Sequence, residues 1–201
     1  MEPTPVCVID DDPDVAALSV QILSEAGFQA YAFTSAGQFL DSPQAQSCLC
    51  VVTDLRMPGV TGGELLDRLR HQQSTVSVVV VTAFADVKTA VSLMQHGAAS
   101  LLEKPFEAAE LIDVVRRAVE LTRRRQADVR GAAEFRRRLS QLTEESRAVL
   151  DCMVAGLSNK AIAAKLDISA RTLDRRKQMI LSTLQVETVP ELIAAYTKAV
   201  A

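Results

Sequence analysis

The sequence predicts two domains of different class. The first is an α/β doubly wound parallel sheet of five strands in the order 2-1-3-4-5, and the second is an all-α helix-turn-helix domain. Three observations predict this. Short β-branched runs alternate with apolar helical stripes, repeating about every 24 residues over the first 121 positions, and that rhythm builds a parallel sheet covered by helices on both faces. From Leu139 onward every periodic segment has helical spacing. The charge divides at the same place: residues 1–121 carry 16 acidic against 7 basic side chains, net −9, whereas residues 122–201 carry 9 against 15, net +6. A chain of 201 residues is also long enough for two small cores.

The strands fall at Val6–Ile9, Ala30–Phe33, Cys50–Thr53, Val76–Val81 and Ser100–Leu102. Between them Asp14–Ala26, Ser35–Leu40, Gly62–Arg70, Asp86–Gly97 and Ala108–Leu121 place apolar residues on one helical face, as Leu65, Leu66 and Leu69 do. Gly27 and Gly97 supply helix stops. Residues 122–138 hold seven arginines around Gly131 and few large apolar residues, which predicts a basic, solvated helical linker continuing the preceding helix. Thr143, Ser158 and Ser169 each stand where an N-cap belongs, ahead of helices that end near Gly156, Leu166 and Leu184. Asp167-Ile168 makes the turn between the second and third, and Pro190 opens a last helix to about Val200.

Composition excludes several classes. With 48% apolar and 23% charged residues the chain is not disordered. Its longest apolar run, Val76–Ala85, falls short of the ~20 residues of a membrane span. The Met-Glu-Pro-Thr-Pro start is acidic and unlike a secretory signal. Cys7, Cys48, Cys50 and Cys152 have no CxxC spacing and read as small buried hydrophobes in a reducing compartment, and His71 and His96 cannot complete a zinc site with them. A cytoplasmic, soluble chain with no membrane partner is expected.

In a sheet of this order the functional crevice lies outside the carboxyl ends of strands 1 and 3. Asp10, Asp11 and Asp12 end the first strand and Asp54 the third, while Thr82 ends the fourth and Lys104 follows the fifth. Each alone reads as a turn residue, a cap or a surface charge. Their coincidence at equivalent strand ends is harder to explain that way. Crowded carboxylates repel unless a proton or cation lies between them, and an all-oxygen set favours Mg²⁺ over zinc. A carboxylate can attack phosphorus to give an aspartyl phosphate, with a lysine and a hydroxyl binding the phosphoryl oxygens. A haloacid-dehalogenase type of enzyme shares that nucleophile but wants a second Asp two positions on, where this chain has Arg56.

Val8-Ile9-Asp10-Asp11-Asp12, Thr53 to Gly59, Val81-Thr82-Ala83 and Glu103-Lys104-Pro105-Phe106 together resemble the receiver domain of two-component response regulators, over residues 1–121. The resemblance implies that Asp54 accepts a phosphoryl group from a sensor histidine kinase. It implies Mg²⁺ held by Asp10, Asp11, Asp54 and the Arg56 backbone carbonyl, phosphoryl contacts from Thr82 and Lys104, and a cis Lys104–Pro105 peptide. No enzymatic role is implied beyond the receiver's own phosphorylation and dephosphorylation. It further implies homodimerisation on phosphorylation through a face around Val87, Val91, Met94 and Leu101. Receivers commonly carry Phe or Tyr at the position of Leu101, and Phe84 is the residue expected to fill that space.

Leu142 to Glu145, Ala155 to Lys160, Ile162-Ala163, Leu166 to Ser169 and Arg171 to Leu173 resemble the LuxR-type helix-turn-helix, over residues 139–201. Joined to a receiver, this points to the NarL/FixJ class: phosphorylation-activated, DNA-binding transcription regulators. Leu173, Ile180 and Leu184 share one face and should pack inward, which turns Arg171, Thr172, Arg175 and Gln178 toward a major groove. The resemblance implies base contacts at Asp174, Arg175 and Gln178. Lys160, Arg176 and Lys177 are placed for phosphate contacts. The family usually has His at Arg176 and often Lys at Thr183, and Asp174 would meet an anionic ligand. These departures leave an alternative in which the C-terminal helices bind a protein and sequence-specific DNA binding is lost.

Overall fold

The computed structural model describes residues 4–83 and 86–200, which form two compact units that part after Gln126. In the first, β1 (Pro5–Ile9), β2 (Gln29–Phe33), β3 (Cys50–Asp54), β4 (Ser77–Thr82) and β5 (Ser100–Glu103) make one parallel sheet in the order β2-β1-β3-β4-β5. Helices α1 (Pro13–Glu25), α2 (Ala36–Leu40), α3 (Gln44–Ser47), α4 (Gly62–His71), α5 (Val87–Gln95) and the start of α6 (Ala108–Leu139) connect and cover it. The short α3 has no apolar stripe and no side-chain cap, so nothing in the sequence marks it.

The period-two alternation of the strands sorts their side chains onto two faces. Cys7, Ile9, Val51, Val78 and Val80 pack with Phe39, Leu65, Leu66, Leu69 and Leu93 from α2, α4 and α5. Val6, Val8, Cys50, Val52, Val79 and Val81 pack with Leu23 of α1 and Leu111, Val115 and Val119 of α6. All four cysteines are buried and free. The register aligns Ile9 with Thr53, Asp54 with Val81 and Thr82 with Glu103, so the strands reach one rim together.

The second unit contains the end of α6 with α7 (Glu144–Val154), α8 (Asn159–Lys165), α9 (Ala170–Leu184) and α10 (Val189–Val200). Thr143, Ser158 and Ser169 accept hydrogen bonds from the third amide of the helix each one caps. Asp167, at φ 53°, makes the turn ahead of α9. Phe135, Leu139, Val149, Leu150, Ile162, Leu173, Ile180, Leu184 and Leu192 form its core.

The stretch 122–138 is helical, as expected, but it is not solvated throughout. Thr122 is fully buried and accepts a hydrogen bond from the Ser77 amide at 2.9 Å while donating to the Ser77 hydroxyl at 2.9 Å. Phe135 is buried in the second core. Four of the seven arginines are also engaged, Arg123 by donating to Glu120 and to the Thr4 hydroxyl, each at 3.0 Å. Arg138 donates to the carbonyl of Leu184 at 3.4 Å, Arg136 to that of Ala199 at 3.2 Å, and Arg137 and Arg138 share Glu134 at 2.7 and 2.8 Å. A cation at a helix C-terminus satisfies carbonyls that have no intrahelical partner. Arg137 lowers the Glu134 carboxyl to about 2, with a smaller contribution from Arg138.

Thr122→Val replaces a buried hydroxyl by a methyl and leaves the Ser77 amide without its partner. We expect a loss of about 1–3 kcal/mol of stability, read as a lower urea midpoint with unchanged slope. Ser77→Ala, which keeps the amide bond to Thr122, should cost less.

Candidate functional site

The common rim gathers the polar residues. Asp10, 5% exposed, follows β1, and Asp54 ends β3. Lys104 follows β5, and its amide donates to the carbonyl of Thr82, the last residue of β4, at 2.8 Å. The Lys104 ammonium donates to Asp10 Oδ2 and Asp54 Oδ1, each at 2.7 Å. One cation therefore lies between two carboxylates that would otherwise repel. Burial pulls the Lys104 pKa down, but the hydrogen bonds and charges of Asp10 and Asp54 outweigh it, and the net shift is upward.

The second oxygen of Asp54 accepts from the Arg56 amide at 2.6 Å, and Asp10 Oδ1 from the Asp12 amide at 3.1 Å. Asp12 is the N-cap of α1 and accepts from the Asp14 amide at 2.9 Å. Asp11 is exposed. Among the described residues no three acidic, histidine or cysteine side chains gather closely enough to hold an ion. Asp10 and Asp54 are instead joined through Lys104. The Lys104–Pro105 peptide is cis. The use of the Arg56 amide to orient Asp54 carries no side-chain signal, so the sequence alone did not show it.

The residues expected on the switch face differ in exposure. Val87, Val91 and Met94 form an exposed stripe on α5, at 79%, 49% and 50% exposure. Leu101 is half-buried, pairs with Val80 in the sheet and packs against the first core. Phe84 lies outside the described residues. Asp86 caps α5 by accepting from the Thr89 amide and hydroxyl, both at 2.8 Å. Those bonds, with a smaller pull from Arg56, hold its carboxyl below the usual range.

In the second unit the candidate contacts separate by side-chain environment. Arg171, Asp174, Arg175 and Gln178 are exposed on α9, opposite the buried Leu173, Ile180 and Leu184, and Lys160 is exposed on α8. Thr172 is half-buried: its amide donates to Ser169 Oγ at 3.1 Å and the two hydroxyls lie 2.9 Å apart, so its side chain belongs to the helix cap. Lys177 donates to Asn159 Oδ1 at 3.2 Å and ties α9 to α8. Arg176 is half-buried, and its charge adds to the hydrogen bonds from Thr143 and its own amide that lower the Glu145 carboxyl.

Two family models match the chain: the response regulator receiver domain over residues 6–116, and the luxR family of bacterial regulatory proteins over 140–195. The chain is a response regulator of the NarL/FixJ class. The transcriptional regulatory protein FixJ of Azorhizobium caulinodans is 39% identical over 194 residues, which cover 96% of this response regulator and 91% of that relative. FixJ of Bradyrhizobium diazoefficiens is 36% identical over 188 residues, covering 94% and 92%. Among solved structures, the response regulator StyR is 31% identical with a TM-score of 0.78, covering 98% of this chain and 99% of StyR. The luxR-family match assigns the second unit of this response regulator to DNA binding. No helix among its described residues is long and apolar enough to cross a membrane.

Lys104 gives the response regulator a specific pH dependence. A lysine whose pKa rises on folding contributes stability that is complete below its unfolded value, about 10.4, and is lost as pH rises through the folded one. Lys104→Met should be less stable than wild type at neutral pH, because Asp10 and Asp54 then face each other without a cation. The difference should shrink on alkaline titration. Urea midpoints measured for both proteins from neutral pH to above the lysine range check this, and a constant difference would contradict it.

Proposed function

We propose that Asp54 is the phosphoacceptor through which a sensor histidine kinase controls this DNA-binding regulator. The observation that carries the reading is the Lys104 ammonium, 2.7 Å from both Asp10 and Asp54. In the transfer an Asp54 carboxylate oxygen attacks the phosphorus of a phosphohistidine. The new O–P bond forms as the P–N bond breaks, and the imidazole leaves and takes up a proton. Lys104 is near enough to exchange its bond to Asp54 for one to a phosphoryl oxygen, and the Thr82 hydroxyl ends the neighbouring strand. Asp10, Asp11, Asp54 and the Arg56 carbonyl would hold Mg²⁺; the donors are oxygen throughout, which fits a hard cation. The carboxylates would have to close in around the ion from their present Lys104-bridged arrangement. When bound, the ion would offset the charge of the transferring phosphoryl group.

We assign residues 1–121 to the phosphoacceptor domain, 122–138 to the basic helical connection and 139–201 to the DNA-binding domain. The exposed stripe Val87, Val91 and Met94, with Leu101 behind it, is assigned to a homodimer favoured by phosphorylation, since a face buried only in one state biases the chain toward that state. On α9, Arg171, Asp174, Arg175 and Gln178 are assigned to base edges, and Lys160 on α8 to a phosphate.

Wild-type protein incubated with labelled acetyl phosphate and Mg²⁺ should gain a label that is both acid- and base-labile, and Asp54→Asn should not. Full labelling of the variant would remove the assignment. Sedimentation velocity with and without the phosphodonor should show a shift from monomer toward dimer, and identical distributions would refute the dimer. On DNA, an Arg bonding guanine O6 and N7 gives specificity, whereas a phosphate contact gives position alone. Arg175→Ala should therefore cost about 1–3 kcal/mol on a selected site and relax preference at one base pair. Lys160→Ala should weaken all sequences alike and reduce the salt slope by about one. Equal losses on selected and scrambled DNA for Arg175→Ala would place that side chain on phosphate.

A further inference from the structure

Gly62, the first residue of α4, lies directly against the backbone of Asp54. A methyl group on its Cα would approach the Asp54 carbonyl oxygen closer than the 3.0 Å that real Cβ atoms respect, and would lie 3.2 Å from both the Asp54 carbonyl carbon and the Leu55 Cα. These are backbone atoms in and beside a central strand, so they cannot turn aside as a flexible side chain can. The Gly62 amide donates to the Leu55 carbonyl at 3.1 Å, which holds the helix start against the strand end. Gly63, in the same turn, differs: its nearest neighbours would be Leu93 Cδ2 at 3.9 Å and Thr61 Oγ1 at 4.0 Å, ordinary contact distances.

The close approach closes a short loop. The chain leaves β3 at Asp54, buries Met57, and returns to Asp54 at Gly62. The return is fixed by reciprocal capping, in which the Glu64 amide donates to Thr61 Oγ1 at 3.2 Å and the Thr61 amide to Glu64 Oε2 at 2.9 Å. Inside the loop lies the Arg56 amide that donates to Asp54 Oδ2 at 2.6 Å. The contact at Gly62 thus clamps the segment whose backbone aims the Asp54 carboxylate.

We propose that Gly62 is a positioning residue for phosphoryl transfer to Asp54: having no side chain, it lets α4 lock the Asp54–Arg56 backbone in the geometry that presents the carboxylate. The proposal rests on Asp54 being the phosphoacceptor. Lys104 and Thr82, the groups assigned to the phosphoryl oxygens, lie on other strand ends. A side chain at position 62 should therefore slow the transfer step and leave the affinity for the donor nearly unchanged. Misplacement of a reacting group by about 1 Å can cost roughly 100-fold in rate.

The test uses the full-length chain as wild type, Gly62→Ala, Gly63→Ala and Asp54→Asn. Initial labelling rates are measured over a range of acetyl phosphate concentrations with Mg²⁺, and are expressed per folded molecule as determined by circular dichroism. Gly62→Ala should lose at least tenfold in saturating rate with less than a twofold change in half-saturating donor. Gly63→Ala should stay within twofold in both. A merely structural role would lower the melting temperature of Gly62→Ala and leave its rate per folded molecule at the wild-type value, and that result overturns the proposal. If Gly62→Ala does not fold, Glu64→Ala replaces it, because it loosens the start of α4 without adding an atom near Asp54. A roughly threefold fall in its saturating rate is expected, and an unchanged rate overturns the proposal. Label retained by Asp54→Asn would reject the phosphoacceptor reading itself, a result distinct from either.

Discussion

The Lys104 ammonium between Asp10 and Asp54 is the interaction on which the arrangement of the first unit's polar rim depends. It is possible only because three strands end at one rim. The parallel register aligns Ile9 with Thr53 and Thr82 with Glu103, which brings together residues up to 94 positions apart in the chain. A buried carboxylate such as Asp10 is costly unless paired. Lys104 supplies the pairing, and backbone amides take the remaining oxygens: Arg56 for Asp54 and Asp12 for Asp10. The result is an Asp54 carboxylate whose counter-charge is already in place. An incoming phosphoryl group would meet a cation oriented by two carboxylates, with little reorganisation required of the protein.

The second unit solves a different problem. Its helices are short, and α8 has only seven residues, so their start points matter. Side-chain caps at Thr143, Ser158 and Ser169 define those starts. Arg136 and Arg138 do the complementary work at the far ends of α10 and α9 by binding their terminal carbonyls. With Leu173, Ile180 and Leu184 buried, the exposed face of α9 is left to Arg171, Asp174, Arg175 and Gln178. This is the arrangement a groove-reading helix needs: one face fixed by packing, the other free to meet base edges.

Much of this was legible in the residues. Strand identity and order followed from β-branched runs and helical stripes, and the observed strands differ from expectation by only a residue at their ends. The rim residues were legible because a doubly wound sheet directs strand ends to one edge. Three features were not. The α3 turn is held by backbone bonds with no apolar period to mark it. Arg136 and Arg138 look like part of a solvated run because they bond carbonyls distant in sequence. Thr172 carries a side chain suited to DNA, but the Ser169 cap claims it. In the first two cases backbone groups decide the outcome and leave no residue-type signal, whereas in the third one side-chain hydroxyl captures another. The exposed Asp11 illustrates the converse: position in the sequence placed it beside the site, but it takes no part in the Lys104 bridge.

On the proposed reading, phosphorus becomes bonded to the Asp54 carboxylate. Borohydride reduces an acyl phosphate to the alcohol and releases phosphate, so it converts a phosphorylated aspartate into homoserine and marks the residue permanently. Peptide mass spectrometry of the phosphodonor-treated, borohydride-reduced protein should find homoserine at position 54 and unchanged aspartate at positions 10, 11 and 12. Homoserine at one of those three positions, with Asp54 intact, would contradict the account.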